Sequence, residues 1–160
     1  YLKNKHTLVV DEFQFRCAIG KNGLSSKKTE GDFCTPKGIF KLEKLYYRKD
    51  RVNFEKCDLK FEKINNRMVW CNDSTSIFYN KLTQISKKIT YEKMFRNDYK
   101  YNFVITVDYN RKKIQKNKGS AIFMHLTKNY KPTAGCITIN KNDFKILLKI
   151  IKKNTYIKIC

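Results

Sequence analysis

The sequence predicts a mainly β domain with one prominent helix near its C-terminus. Short β-branched and aromatic runs recur and alternate with polar residues, which is the two-residue period of half-buried strands. Only residues 140–151 show the helical period instead. With 160 residues, of which 41% are hydrophobic, the chain suits one folded domain, 1–160. It has no apolar run of the ~20 residues that span a bilayer.

The N-terminal half begins with two predicted strands, residues 7–10 and 13–19, which flank Asp11 and Glu12 as a hairpin or as sequential strands. Turn-forming residues follow as far as Gly38, and the alternation at 39–42 predicts the next strand. The centre, about residues 50–96, is irregular and strongly charged, and its pattern assigns no element.

The C-terminal half is more regular, with predicted strands at 102–109, 120–125 and 136–139. Asn140 and Asp143 resemble a capped helix start. Four apolar residues at helical spacing follow and predict one buried stripe: Phe144, Leu147, Leu148 and Ile151. We expect that stripe to pack on the sheet, and residues 155–159 to form a closing strand.

The net charge of +21 comes from 35 Lys and Arg against 14 Asp and Glu. The cations are scattered and mostly Lys, and they occur with many Asn and Ile, a composition expected of AT-rich coding DNA. Such a charge attracts polyanions, whether nucleic acid, an anionic membrane face or a carboxylate-rich cell-wall polymer. A basic nucleic-acid-binding β domain therefore stays an alternative, although the sequence has no RNP-like or zinc-knuckle motif.

The six cysteines show neither a Cys-x-x-Cys pair nor alternation with His, so no metal site is predicted. Their even number permits disulfides without requiring them. The first residues lack the pattern of an export signal. We therefore expect either a cytoplasmic protein or a mature or trimmed chain.

One stretch has the groups that a thiol nucleophile needs: a base, backbone donors and a tight turn. His125 ends a predicted strand, and Cys136 follows Gly135 eleven residues later, at the start of the next. Antiparallel pairing of these strands would bring imidazole and thiol together and lower the thiol pKa from its usual ~8.5. The alternative interpretation is a buried cysteine near a hydrogen-bonded core histidine.

Two motifs resemble those of the YkuD-type L,D-transpeptidases. Residues 119–125 read Gly-Ser-Ala-Ile-Phe-Met-His, and residues 132–139 read Pro-Thr-Ala-Gly-Cys-Ile-Thr-Ile, like the catalytic stretch of that family. Upstream, residues 35–40 read Thr-Pro-Lys-Gly-Ile-Phe, like its Thr-Pro-x-Gly-x-Phe signature. Weaker likenesses to one subgroup occur at 17–20, 70–73, 79–80 and 95–98. The resemblance implies an L,D-transpeptidase-like β-sandwich or barrel with irregular loops.

The resemblance also implies a mechanism on peptidoglycan stem peptides, with no cofactor, no metal and no nucleic acid. Cys136 would attack the carbonyl of the third, diamino-acid residue and expel the terminal D-residue, with His125 as base and then acid. The backbone carbonyl of Leu126 would orient the imidazole, and the N–H groups of Gly135 and Cys136 would hold the oxyanion. An amine acceptor would complete transfer, whereas water would make the enzyme an L,D-carboxypeptidase. The family implies a periplasmic or cell-envelope location, and the oligomeric state is not predicted.

The chain departs from many family members at two positions, with Ala134 and Thr138 in place of His and of Asn or Arg. This puts carboxylate recognition and acceptor choice in question. An aromatic wall with polar groups suits a stem peptide. Candidate substrate contacts, each with a structural role as the alternative, are Trp70, Asn72, Asp73, Tyr79, Asn80, Tyr130, Thr133, Thr138 and Arg48.

Overall fold

The computed structural model describes the backbone of residues 1–160 and every side chain except that of Asn4. It confirms a mainly β fold with one α-helix. In chain order the elements are β1 (Leu2–Asn4), β2 (Thr7–Val10), β3 (Phe13–Ala18), β4 (Leu24–Ser25), β5 (Thr35–Pro36), β6 (Gly38–Tyr47), β7 (Lys60–Lys63), β8 (Met68–Cys71), β9 (Leu82–Gln84), β10 (Tyr91–Lys93), a 3-10 turn (Lys100–Asn102), β11 (Phe103–Val107), β12 (Phe123–Leu126), β13 (Ile137–Ile139), α1 (Lys141–Ile150) and β14 (Tyr156–Ile159).

The main sheet closes into a barrel because β6 pairs with strands from both of its ends. Its order is β11-β12-β13-β3-β2-β1-β14-β6-β7, and β6 also pairs with β11. The first part of β6 pairs with β14, and the part near Tyr46 and Tyr47 pairs with both β11 and β7. This strand is longer than the predicted 39–42. The sequence pattern missed its second half because the last three residues, Leu45 to Tyr47, are all buried and therefore do not alternate between apolar and polar.

The two faces of the strands that bear the predicted dyad pack into different apolar clusters. Met124 and Leu126 of β12 and Ile137 and Ile139 of β13 point into the main core, where α1 also packs. Phe123 and Cys136 belong to a second, smaller cluster with Trp70. The three-stranded sheet β10-β8-β9 covers that second face, and the Trp70 ring meets Phe123 edge to face at 4.9 Å.

The helix forms as predicted. Asn140 is its N-cap, and its Oδ1 accepts from the backbone N–H of Asp143 at 3.0 Å. Phe144, Leu147 and Leu148 are buried beneath it. The amphipathic stripe therefore anchors α1 on the barrel, in contact with β12.

Two expectations about β12 and β13 were wrong. The two strands pair in parallel, with His125 opposite Thr138, and not as an antiparallel hairpin. Strand β12 begins at Phe123 and not at residue 120. Ala121 adopts a left-handed φ of 52°, which ends the extended conformation before Ile122.

Candidate active site

The parallel register places thiol and imidazole on the same face of the sheet. Because His125 is opposite Thr138, Cys136 is two residues away on the same face as Thr138 and as the imidazole. Both side chains line one cavity of about 540 Å³. The dyad thus comes together through a different pairing from the one that the sequence predicts.

The imidazole of His125 is neutral in this arrangement. Its Nδ1 lies 3.0 Å from the carbonyl oxygen of Leu126. Because a carbonyl only accepts, Nδ1 carries the proton and Nε2 keeps its lone pair. Burial lowers the pKa of His125 to about 4, so the imidazole is uncharged at neutral pH.

Cys136 rests as a protonated thiol. Its side chain is buried, and Sγ donates to the carbonyl of Ala121 at 3.3 Å. Burial, with a smaller contribution from the nearby carboxylate of Glu92, raises the pKa of Cys136 to about 12. The sequence-based prediction of a thiol pKa lowered by the imidazole is therefore wrong for this state.

The turn before Cys136 is fixed by two threonine hydroxyls. Thr133 Oγ1 accepts from the N–H of Gly135 at 3.0 Å and donates to the carbonyl of Cys136 at 2.7 Å. Thr35 Oγ1 donates to the carbonyl of Gly135 at 2.8 Å and accepts from the N–H of Gly20 at 2.9 Å. Thr35 of the upstream motif thus connects β5 and the segment after β3 directly to the loop that precedes Cys136.

Gly135 cannot be replaced without a shift of the backbone. Its φ is 140°, and a Cβ atom there would lie 2.7 Å from the carbonyl oxygen of Cys34. This close approach is what allows the Thr35 segment to pack against the loop that precedes Cys136.

Asn80 holds the segment that contacts the thiol. Its Oδ1 accepts from Trp70 Nε1 at 3.0 Å and from the N–H of Ala121 at 3.1 Å. Its Nδ2 donates to the carbonyls of Tyr109 and Asn110. All four hydrogen bonds of the amide are made inside the protein, and they fix the strained Ala121 whose carbonyl faces Cys136.

Of the predicted substrate contacts, Asn72, Thr133 and Thr138 line the cavity with the dyad. Asn72 Oδ1 and Thr138 Oγ1 are buried and make no hydrogen bond with the described part of the protein. Thr138 is only 2% exposed. Buried polar atoms without partners are uncommon and mark places where a ligand can bind.

The other predicted contacts lie outside the cavity lining, in structural positions. Trp70 and Asn80 bond to each other behind the wall, and Tyr79 is buried with its hydroxyl donating to the Glu30 carboxylate. Asp73 closes a turn with Thr75.

Tyr130 and Arg48 also have structural partners. The Tyr130 ring lies beneath Arg16, at 4.2 Å from the guanidinium carbon, and its hydroxyl accepts from Asn140. Arg48 is buried, binds the Asp50 carboxylate with two nitrogens and stacks on Phe95. These contacts fix Arg48 away from the cavity lining.

The cavity lining also includes residues that were not singled out as site residues from the sequence, among them Glu92, Arg96, Lys100 and Tyr101. The Tyr101 ring meets the His125 imidazole edge to face at 4.9 Å, and its hydroxyl donates to Glu92. In the sequence, residues 95–98 show only a weak resemblance to one subgroup of the family and predict no role in the site. Glu92 and Tyr101 gave no signal, because one lies in a three-residue strand and the other in a single turn.

Among the described residues, no group of three or more His, Cys, Asp or Glu side chains is arranged to hold a metal ion. All six cysteines are free thiols. Over the same residues, no helix has the length and apolar character that crossing a membrane requires.

One of three comparisons with known proteins gives a match. The family model of the YkuD L,D-transpeptidase catalytic domain matches residues 2–159, nearly the whole chain. Searches of curated proteins and of solved structures gave no match. The match includes both motif regions, the barrel and the cavity that holds thiol and imidazole. The chain therefore belongs to the YkuD family of L,D-transpeptidase catalytic domains.

Proposed function

We propose that residues 1–160 form one catalytic domain, a cysteine-dependent peptidoglycan L,D-transpeptidase that works in the cell envelope. The family acts on peptidoglycan. One observation carries the assignment of roles: Cys136 and His125 share one cavity on one face of neighbouring strands, and Nε2 of His125 is free to accept a proton.

In the proposed reaction Cys136 attacks the stem-peptide carbonyl after the third, diamino-acid residue. The thiol proton passes to His125 Nε2, and from there to the amine of the departing D-residue, which leaves a thioester on Sγ. A thiol with a pKa of about 12 and an imidazole with a pKa of about 4 do not form an ion pair at rest. Proton transfer therefore accompanies attack on the bound substrate, after Sγ leaves the carbonyl of Ala121.

The backbone N–H of Cys136 is the proposed oxyanion donor. The N–H of Gly135 already donates to Thr133 Oγ1. It joins the oxyanion site only if the Thr133 hydroxyl gives up that bond when substrate binds.

Substrate recognition has two further supports in the cavity. The hydroxyl of Thr138 and the amide oxygen of Asn72 lack partners and are the proposed contacts with the peptide backbone. Lys128 and Lys131 lie on the exposed part of the lining, and neither forms an ion pair with the described residues. Their charge attracts the carboxylates of a stem peptide.

The test is intact-protein mass spectrometry after incubation with purified disaccharide-tetrapeptide, alone and with an added D-amino acid. We expect wild type to show a thioester adduct that Cys136→Ala lacks and that Cys160→Ala, a control at an exposed thiol, retains. A dimer or exchange product indicates transfer, whereas a trimmed tripeptide indicates an L,D-carboxypeptidase. A folded wild type that reacts with neither tetrapeptide nor pentapeptide stems contradicts the proposal.

A further inference from the structure

One wall of the cavity carries charges of both signs that the mechanism above leaves unused. Glu92, Arg96 and Lys100 all line the cavity, in addition to the dyad. The only other acidic lining residue among those described is Glu30, which already accepts the hydroxyl of Tyr79. Glu92 likewise accepts a tyrosine hydroxyl, that of Tyr101, and it differs from Glu30 in lying beside a lining cation, with Oε1 3.7 Å from Arg96 Nη1.

The position of Glu92 is fixed by its neighbours, but only one of its two carboxylate oxygens has a contact with them. It is the central residue of β10, opposite Trp70 in β8. Its carboxylate accepts the Tyr101 hydroxyl, and Oε1 lies 3.7 Å from Arg96 Nη1, which is beyond hydrogen-bond distance. The side chain is 29% exposed. Oε2 accepts no hydrogen bond from the described residues, so this oxygen can accept a new donor.

The neighbouring cations, Arg96 and Lys100, also have N–H donors that form no hydrogen bond with the described residues. Arg96 binds Asp98 through Nε and Nη2, while its Nη1 has no hydrogen bond to the described residues. Lys100 Nζ is 3.8 Å from Asp98, again too far for a hydrogen bond. The cluster Glu92, Arg96, Asp98 and Lys100 carries no net charge. It therefore suits a ligand with one positive and one negative group better than a simple anion or cation.

We propose that Glu92, Arg96 and Lys100 form a subsite for the zwitterionic head group of an α-amino acid, and that this subsite presents the acceptor amine to the thioester on Cys136. The ammonium binds Glu92, and the carboxylate binds Arg96 and Lys100. The inference rests on the proposed function, and it identifies the acceptor as an amine with a carboxylate on the same carbon. A free D-amino acid and the diamino-acid end of a second stem peptide share this chemistry.

The subsite also provides an acceptor for the proton that the acceptor ammonium must lose. An ammonium has no lone pair, so it must lose one proton before its nitrogen attacks the thioester carbonyl. Glu92 accepts that proton, and burial raises the pKa of this carboxyl, which makes it a better base than a solvated one.

The remaining steps balance without another reagent. The nitrogen lone pair forms the new C–N bond, and the C–S bond to Cys136 then breaks. The second nitrogen proton passes to Nε2 of His125 and from there to the departing thiolate. The products are an amide, the free thiol and one proton on Glu92, which returns to water.

The first measurement is the partition of the thioester between amine and water. Wild type should use D-alanine in preference to D-alaninamide, which lacks the carboxylate. Glu92→Gln should lower the ratio of aminolysis to hydrolysis by about tenfold for the thioester that forms, and this ratio is compared with wild type whatever the rate of thioester formation. Lys100→Met should reduce the preference for D-alanine over its amide. Lys145→Met removes the same charge from the exposed face of α1 and should leave that preference unchanged.

Product masses distinguish the two acceptor sources, since exchange adds one D-amino acid and transfer to a second stem gives a dimer. Equal use of D-alanine and D-alaninamide by wild type would overturn the inference. So would a Glu92→Gln variant that loses thioester formation and keeps its partition ratio, because the subsite would then serve the donor.

A second measurement does not depend on catalysis. Saturation-transfer NMR on the unreacted protein should detect D-alanine with wild type and lose the signal with Glu92→Gln, while D-alaninamide gives a weaker signal throughout. Binding of this kind without any thioester would sink the proposed function and keep the subsite. Thioester formation together with equal signals for D-alanine and D-alaninamide would support the proposed function and overturn the subsite.

Discussion

Replacing Thr35 with valine removes one hydroxyl that connects three parts of the chain around the nucleophile. Thr35 is fully buried and bonds to the N–H of Gly20 at 2.9 Å and to the carbonyl of Gly135 at 2.8 Å. Valine has nearly the same shape, so the change creates no cavity. It leaves one buried donor and one buried acceptor without partners.

The magnitude follows from those two orphaned groups. Each buried polar group that loses its partner costs about 1–3 kcal/mol, so Thr35→Val should lower the free energy of unfolding by about 2–6 kcal/mol. A domain of this size is stable by about 5–15 kcal/mol. The variant should therefore fold with a much smaller margin, and thioester formation should fall because Gly135 and the nucleophile lose their anchor.

Thr138→Val is the matched control. It makes the same chemical change at another buried threonine, but Thr138 Oγ1 has no partner among the described residues. Its effect on the free energy of unfolding should stay below about 1 kcal/mol. Urea unfolding, followed through the single, buried tryptophan Trp70, measures both variants. Equal destabilisation of Thr35→Val and Thr138→Val would refute the reasoning.

Three further predictions follow from burial at the site. The pKa of His125 is about 4 in the folded protein and near 6.5 when unfolded, so the unfolded chain binds the extra proton between these values. The free energy of unfolding should thus fall by about 3 kcal/mol as the pH drops from 7 to 4, and His125→Gln should flatten that part of the urea-measured profile. In the resting protein at pH 8, iodoacetamide should alkylate the exposed Cys160 well before the buried Cys136, as peptide mapping would show; equal rates would contradict the protonated resting thiol. Gly135→Ala should lower the melting temperature and abolish thioester formation, because its Cβ would lie 2.7 Å from the Cys34 carbonyl; an unchanged melting curve would contradict that close approach.

Much of the fold could be predicted because its elements have local signals. The stripe of α1, its Asn140 cap and the β-branched and aromatic run of β11 each follow from a few neighbouring residues, although all five residues of β11 are buried and not alternately exposed. The parallel pairing of β12 with β13, in contrast, does not follow from neighbouring residues. The loop between them docks on the end of β3, where Thr133 bonds to the backbone of Ile19 and Lys21. This long-range contact leads the chain back parallel to β12, and no nearby residue indicates it.

The candidate site could be predicted only in part, for a related reason. Cys136 and His125 lie in a short stretch with a recognisable motif, whereas Asn72, Glu92 and Arg96 of the cavity wall come from the irregular centre. Asn80 was a candidate substrate contact, yet all four of its amide hydrogen bonds are made inside the protein. Glu92 reaches the cavity only because β10 pairs with β8, so that its position depends on Trp70 opposite.

The groups that hold the nucleophile come from distant parts of the chain, and this separates stability from substrate binding at neighbouring positions. Thr35 acts from about a hundred residues away, and Asn80 acts through Ala121, so both contribute to folding and to the geometry at Cys136. Thr138 contributes no internal hydrogen bond although it is buried beside them. A loss of activity in Thr35→Val should therefore track its loss of stability. A loss of activity in Thr138→Val at unchanged stability would instead indicate a missing contact with the substrate.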